Sequence, residues 1–188
     1  MQMRVEQIMS HPPVTCTQDD SLSTAARLMW DRDCGVLPVI GDDGAVVGML
    51  TDRDICMASL TQGRPLHAIT VTSAMAKLVY CIHPQESIDA ARHVMSEEKV
   101  RRLPVVDGQG QPVGVLSLND IARHDAASGR ENGAERALTQ SLAAIGEPRT
   151  HGVRPRSMPA KVIPLTRGNS LSARCVAWSR AGRADENA

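Results

Sequence analysis

Two short stretches each place a hydroxyl three residues before a carboxylate, just after a glycine and an apolar pair. Thr51 precedes Asp54 in GMLTDRDI, and Ser117 precedes Asp120 in GVLSLNDI. At the start of a helix this spacing makes a capping box, in which each side chain accepts a hydrogen bond from the other residue's backbone amide. A helix start also presents free amides and the positive end of the helix dipole, which suit a phosphate oxygen.

The functional interpretation gives the two side chains separate roles. Thr51 or Ser117 would donate to an anion, while Asp54 or Asp120 would accept hydrogen bonds from the two vicinal hydroxyls of a ribose. Phosphate plus ribose describes a nucleotide. The alternative is that both motifs only cap their helices, and the motifs alone leave both interpretations open.

The two stretches belong to a longer internal repeat. With an offset of 66 positions, residues 9–55 align with residues 75–121 without a gap. The matching pairs include Met9 and Met75, Ser21 and Ser87, Leu37-Pro38-Val39 and Leu103-Pro104-Val105, Gly48 and Gly114, and Asp54-Ile55 and Asp120-Ile121. These are apolar, glycine and turn positions, which the backbone dictates. The pattern therefore predicts two copies of one structural unit.

Each copy is predicted to form a strand, a helix, a hairpin of two strands and a second helix. In the first copy these are a strand at 14–17, a helix from Ser21, strands at 36–40 and 46–50, and a helix from Thr51. In the second copy they are a strand at 80–83, a helix from Ser87, strands at 103–106 and 113–116, and a helix from Ser117. A unit of this size is only marginally stable alone. We therefore expect an α+β tandem whose copies pack face to face with pseudo-twofold symmetry.

Composition and charge limit the kinds of ligand and partner. With two Trp, one Tyr and no Phe, any planar ligand would pack mostly on aliphatic walls. Residues 1–148 carry 13 Lys and Arg against 19 Asp and Glu, whereas residues 149–188 carry 8 against 2. The chain is thus an acidic body with a basic tail. That tail has one aromatic residue and no compact basic cluster, which argues against specific nucleic-acid recognition.

Several other functions are disfavoured by the sequence. There is no apolar run long enough to span a bilayer and no secretory signal, so we expect a cytoplasmic protein without a membrane segment. The five cysteines are scattered without a C-x-x-C pair, which predicts reduced thiols. The six histidines show no metal-binding spacing, and no nucleophile signature is present, so neither a metal site nor an enzyme is predicted.

The chain resembles tandem cystathionine-β-synthase-type domains, called CBS domains, whose pair is termed a Bateman module. The resemblance is carried by the Met9 and Met75 lead-ins, the two Leu-Pro-Val runs, the turns in each hairpin, and the stretches GMLTDRDI and GVLSLNDI. It extends from about Met3 to Asp125. It implies a compact pair with clefts between the copies, often dimerised into a flat disc. It also implies a regulatory ligand such as AMP, ADP, ATP, NAD or S-adenosylmethionine, with no required cofactor.

The resemblance also implies which residues would hold the ligand. Asp54 and Asp120 would hold ribose hydroxyls, with Thr51 and Ser117 beside the phosphate or ribose. The walls around the base would come from the stretches containing Val36, Pro38 and Pro104, and from Val14 and Tyr80. Cations for a phosphate come mainly from the second copy, which has Arg101, Arg102 and Lys77 where the first has Gly35, Val36 and His11. We therefore expect unequal clefts, with only one of the two adjacent arginines pointing inward.

The sequence thus predicts a CBS domain at 1–66, a second at 67–128, a helix within 129–148 and a basic, disordered tail at 149–188. The predicted function is a free-standing adenosine-ligand sensor that forms a homodimer and acts on an effector protein in trans. The alternative is a ligand-independent scaffold for dimerisation or protein interaction.

Overall fold

The computed structural model describes residues 3–127 and Leu142. The tail at 149–188 and, apart from Leu142, the helix predicted within 129–148 lie outside these residues. The first repeat contains β1 (Cys16–Thr17), α1 (Leu22–Asp31), β2 (Val36–Ile40), β3 (Val46–Thr51) and α2 (Asp52–Gln62). The second contains α3 (Ile88–Glu97), β4 (Arg102–Val106), β5 (Pro112–Ser117) and α4 (Leu118–Ala127). Short 3-10 helices occur at Val5–Gln7, Leu66–Ala68 and Val71–Ser73.

The two hairpins are built in the same register. In β2 and β3, Leu37 lies opposite Leu50, and in β4 and β5, Leu103 lies opposite Leu116. All four leucines are fully buried. The α+β class and the tandem repeat are therefore confirmed.

The first strand of each repeat is shorter than predicted. In the first repeat only Cys16–Thr17 pairs with β2, in parallel, and in the second Ile82 makes a single parallel bridge to Val105. A proline follows two residues after Ile82, at Pro84, and it lacks the N–H that a longer ladder would need.

The helices begin where the sequence predicts. Ser21 and Ser87 are the N-caps of α1 and α3, and each hydroxyl accepts a hydrogen bond from a backbone amide three residues later, at 3.1 Å. Apolar residues at helical spacing pack inward from α1 and α3. The buried members are Leu22, Ala25 and Met29 in α1, and Ile88, Ala91, Val94 and Met95 in α3. No helix within 3–127 combines the length and apolar composition needed to cross a membrane.

The segment that leads into each repeat packs on the other repeat. Val5 is fully buried in the core of the second repeat, and its amide donates to the Glu86 carbonyl at 2.9 Å. In the same way, Val71 is buried in the core of the first repeat, and its amide donates to the Asp20 carbonyl at 2.8 Å. The lead-ins are thus exchanged, which the sequence analysis did not predict.

Two glycines make room for the exchanged lead-ins. A Cβ added at Gly114 would lie 2.5 Å from Met9 Sδ, and one added at Gly48 would lie 2.5 Å from Met75 Sδ. Beside each glycine the lead-in also pairs with the adjacent strand residue, Ser10 with Val115 and Ala76 with Met49. The matching Met9 and Met75 therefore anchor the crossing segments on the opposite hairpins.

Cys16 in β1 makes the free energy of unfolding depend on pH in the alkaline range. Burial raises the pKa of this thiol from 9.0 to about 12, and the nearby Asp20 carboxylate adds to the rise. Above pH 9 the unfolded chain loses this proton while the folded chain keeps it, so stability falls as pH rises toward 12. Between pH 8 and 10.5 we expect the wild type to lose about 2 kcal/mol more unfolding free energy than Cys16→Ala, as measured by urea denaturation. Equal losses in the two proteins would contradict this.

Candidate functional site

A cleft with a volume of about 610 Å³ lies between the two repeats. One wall comes from the first repeat and the segment before it, and the opposite wall comes from β4, β5 and α4. The first wall contains Ser10, His11, Pro12, Pro13, Val14, Arg32, Asp33, Cys34, Gly35 and Val36. The second contains Arg102, Val115, Ser117, Asn119, Asp120, Ala122 and Arg123. The cleft is large enough for a small organic ligand.

The second motif, Ser117 and Asp120, lies in this cleft at the start of α4. Asp120 is only 7% exposed, and its Oδ2 accepts hydrogen bonds from the Ser117 amide at 2.8 Å and the Ser117 hydroxyl at 2.6 Å. The Ser117 hydroxyl accepts from the Asp120 amide at 3.2 Å. The capping box is therefore complete. Since the hydroxyl proton is donated to Asp120, Ser117 would have to break that bond to donate to an anion.

The first motif forms the same box at the start of α2. Asp54 Oδ2 accepts from the Thr51 amide at 3.0 Å and from the Thr51 hydroxyl at 2.6 Å. The Asp54 amide donates back to the Thr51 hydroxyl at 3.2 Å. Thr51 and Asp54 lie outside the 610 Å³ cleft. They occupy the positions in the first repeat that correspond to Ser117 and Asp120 in the second.

Arg102, at the start of β4, reaches across the cleft to the first repeat. A Cβ added at Gly35 would lie 3.5 Å from Arg102 Nη2. Gly35 occupies the repeat position of Arg101, so the first repeat leaves room where the second has a long side chain. Arg102 is half-buried and lines the cleft, whereas Arg101 is exposed and does not. The cleft thus receives one of the two neighbouring arginines.

Arg123 is a cleft residue that the sequence analysis missed. Its Nη2 donates to Asp120 Oδ1 in an ion pair along α4, with Asp120 buried and the arginine side chain 77% exposed. The spacing of three residues on one helix was the available signal, because side chains at i and i+3 are neighbours. A second signal was a difference between the two copies, because the first copy has the uncharged Met57 at the position of Arg123.

The predicted site residues divide into two groups. Five line the cleft together: Val14, Val36, Arg102, Ser117 and Asp120. The remaining seven lie elsewhere. Besides Thr51, Asp54 and Arg101, these are Lys77, which is exposed, Tyr80, which packs half-buried against the second core, and Pro38 and Pro104, which are buried within β2 and β4.

The ionisable side chains of the cleft suit ligand binding. The lining contains three arginines, Arg32, Arg102 and Arg123, and two carboxylates, Asp33 and Asp120, so it carries a small positive excess. A ligand with an anionic group, an apolar group and hydroxyl donors would complement the arginines, the valines and the Asp120 carboxylate of this lining. Among residues 3–127, no group of three or more His, Cys, Asp and Glu side chains is arranged to hold a metal ion.

Comparison with known proteins identifies both repeats. The family model described as CBS domain matches residues 5–61 and 71–127. Hypoxic response protein 1 of Mycobacterium tuberculosis is 36% identical over 136 residues, which cover 72% of this chain and 89% of that protein. A crystal structure of Hypoxic Response Protein I with two coordinated zinc ions has a TM-score of 0.59 and 34% identity, over 65% of this chain and 98% of that one.

A second solved structure is similar and contains ligands. The CBS domain pair of protein MJ0100, in complex with 5′-methylthioadenosine and S-adenosyl-L-methionine, has a TM-score of 0.62 and 29% identity. The match covers 68% of this chain and 99% of that one. Enzymes are also among the relatives. Inosine-5′-monophosphate dehydrogenase of Mycobacterium tuberculosis is 31% identical over 125 residues, but the match covers only 22% of the enzyme.

Proposed function

Because the chain belongs to the CBS domain family, we propose that it is a regulatory module that binds an adenosine ligand between its two repeats and signals to a partner protein. AMP, ADP, ATP, NAD and S-adenosylmethionine are the candidate ligands. A bound ligand would change the partner's activity by favouring one arrangement of the repeats, since a ligand shifts an equilibrium only through its different affinities for the two states.

The proposal depends on one observation: a carboxylate, apolar side chains and an arginine all line the same cleft. Asp120 can accept hydrogen bonds from ribose hydroxyls, Val14 and Val36 supply apolar walls for a base, and Arg102 supplies charge for a phosphate. The adenosine compounds bound by the similar MJ0100 pair support this ligand class. Asp54 and Thr51 form the related capping box, so we keep them as candidates for a second, unequal site.

The regulated activity is proposed to lie in another protein. The match to Hypoxic response protein 1 covers 89% of that protein, so the similarity extends over nearly the whole of that chain. In the dehydrogenase, by contrast, the matching segment is a minor part of a large enzyme. We therefore propose that this chain is not an enzyme and acts in trans. The free thiols of Cys16, Cys34, Cys56 and Cys81 fit the proposed cytoplasmic location.

A second candidate function is a ligand-independent scaffold. It is favoured by the complete capping boxes, which give both motifs a purely structural role, and by exposed apolar side chains such as Trp30 and Leu60. Trp30 is 87% exposed and could pack in a homodimer or on a partner. The two candidates differ in one measurable property, the response of stability to adenosine compounds.

Asp120→Asn tests the sensor function. Asparagine can still accept hydrogen bonds from Ser117, but it lacks the charge and the second acceptor oxygen that hold a ribose. At a ligand concentration about a hundredfold above the dissociation constant, the wild type should gain roughly 2.7 kcal/mol of stability. We expect Asp120→Asn to lose this gain. The measurement is thermal unfolding of the full chain with adenosine, AMP, ADP, ATP, NAD and S-adenosylmethionine.

Cysteine alkylation adds a control on where the ligand binds. Cys34 lines the cleft, whereas Cys56 occupies the repeat position of the cleft residue Ala122 and therefore reports on the related site. A ligand in the described cleft should slow alkylation of Cys34.

The control variant for Asp120→Asn is Asp42→Asn, which makes the same substitution at an exposed residue outside the cleft and should keep the full ligand response. If none of the compounds stabilises the wild type, the scaffold function replaces the sensor.

A further inference from the structure

The contact between Arg123 and Asp120 bears on which adenosine ligands the cleft accepts. Asp120 has two carboxylate oxygens, and Oδ2 already accepts two hydrogen bonds from Ser117. The other oxygen, Oδ1, accepts from Arg123 Nη2. A ribose hydroxyl that donates to Oδ1 must therefore share this atom with the guanidinium or displace it.

Displacing the guanidinium has a different cost for different ligands. An adenosine without an anionic group would separate Arg123 from a buried carboxylate and offer the arginine no new anion. A phosphate on the same ligand offers a replacement partner, and arginine binds phosphate through strong charge-assisted hydrogen bonds. Since Arg123 is largely exposed and extends from the first turns of α4, its side chain is free to change partner.

We propose that Arg123 makes this cleft selective for phosphorylated adenosine ligands over adenosines without an anionic group, an inference that rests on the proposed function. The other charges of the lining agree with it. Arg32 and Arg102 add two cations, and among the described residues Asp33 is the only further carboxylate of the cleft lining. Of the two ligands bound to the MJ0100 pair, 5′-methylthioadenosine carries no anionic group for Arg123, whereas S-adenosyl-L-methionine carries a carboxylate that could take the place of Asp120.

The repeat supplies the substitution that tests the proposal. At the position of Arg123 the first copy has Met57, so Arg123→Met replaces the arginine with a residue that this fold already accepts there. The exposed Arg64→Met changes the net charge equally at a residue outside the cleft and is the control. Arg123→Lys keeps the charge but not the planar, bidentate geometry.

The experiment is calorimetric titration of the full chain with AMP, adenosine and 5′-methylthioadenosine. Protection of Cys34 from alkylation is titrated in parallel, so that each affinity refers to this cleft. In the wild type we expect AMP to bind about tenfold or more tighter than adenosine. In Arg123→Met the ratio should fall by about tenfold, through weaker AMP binding and unchanged or stronger adenosine binding. Arg123→Lys should retain part of the preference, and Arg64→Met all of it.

The possible outcomes distinguish a failure of the Arg123 proposal from a failure of the proposed sensor function. If the wild type binds these compounds but Arg123→Met changes the ratio by less than about threefold, the selectivity role is wrong and the sensor function stands. Equal weakening of AMP and adenosine has the same consequence, because Arg123 would then be a general contact. If the wild type binds none of the three compounds, the selectivity role falls, and the sensor function is then decided by the thermal unfolding measurements with ADP, ATP, NAD and S-adenosylmethionine.

Discussion

Replacing Asp125 by Ala is expected to lower the free energy of unfolding by about 3 kcal/mol, because it leaves Arg92 buried without its main anion. Arg92 in α3 and Asp125 in α4 form an ion pair in which each side chain is only 13% exposed. Arg92 Nη1 also donates to the exposed Asp89 at 3.1 Å, while its Nε is buried without a partner among the described residues. Urea unfolding at neutral pH measures the loss.

The first repeat provides the compensating change. Its residues at the positions of Arg92 and Asp125 are Ala26 and Ser59, so the double variant Arg92→Ala with Asp125→Ser restores an uncharged pair. We expect this double variant to be more stable than Asp125→Ala alone, because no charge is left buried. Asp89→Ala is the control and should cost less than about 1 kcal/mol, since that carboxylate is exposed. A double variant that loses as much as the sum of two single variants would contradict this explanation.

Gly114→Val is expected to destabilise the protein by about 3 kcal/mol, the upper part of the range for overpacking a core. Even a single added Cβ would lie 2.5 Å from Met9 Sδ and 3.0 Å from the Ser10 carbonyl oxygen. The methionine can move, but the backbone oxygen is held by the paired hydrogen bonds between Ser10 and Val115. Thermal and urea unfolding of the full chain measure the effect.

Two other glycines test whether the crossing segment is the cause. Gly108 lies in the turn of the second hairpin, and a Cβ added there meets nothing within 4 Å, so Gly108→Ala should change stability by less than about 0.5 kcal/mol. Gly48 faces Met75 in the same way that Gly114 faces Met9, and Gly48→Val should be similarly costly. Because Ser10 and His11 continue into the cleft wall, Gly114→Val should also weaken ligand binding more than Gly48→Val does. Equal stability of the Gly108 and Gly114 variants would contradict the packing argument.

Local signals were enough to predict the helices and hairpins. Ser21 and Ser87 cap their helices as ordinary N-caps do, and the Leu-Pro-Val runs form strands because short apolar segments next to turn residues have few alternatives. The exchange of the lead-ins could not be predicted in this way. Val5 and Val71 occupy the same position in the two copies, and nothing in their local sequence specifies which of the two cores will bury them.

The site residues that belong to a sequence motif within one repeat could be predicted. The sequence indicated Ser117 and Asp120 through their spacing, and the structure places both in the cleft with Val14, Val36 and Arg102. Residues whose importance depends on three-dimensional neighbours could not be predicted from the sequence. Arg32 and Asp33 follow a helix of the first repeat and have no motif of their own, and Arg123 matters because its guanidinium reaches the one oxygen of Asp120 that Ser117 leaves open.

The exchanged lead-ins also determine how the polypeptide can be divided. A cut in the exposed loop at Gly63 would leave Val5 on the N-terminal fragment and Ile69 and Val71 on the C-terminal fragment, so that each piece holds part of the other's interior. Neither fragment would form a stable globule by itself, yet the two should reassemble when mixed. A shortened gene product that retains only the later copy would for the same reason be a substrate for proteolysis rather than a smaller working protein.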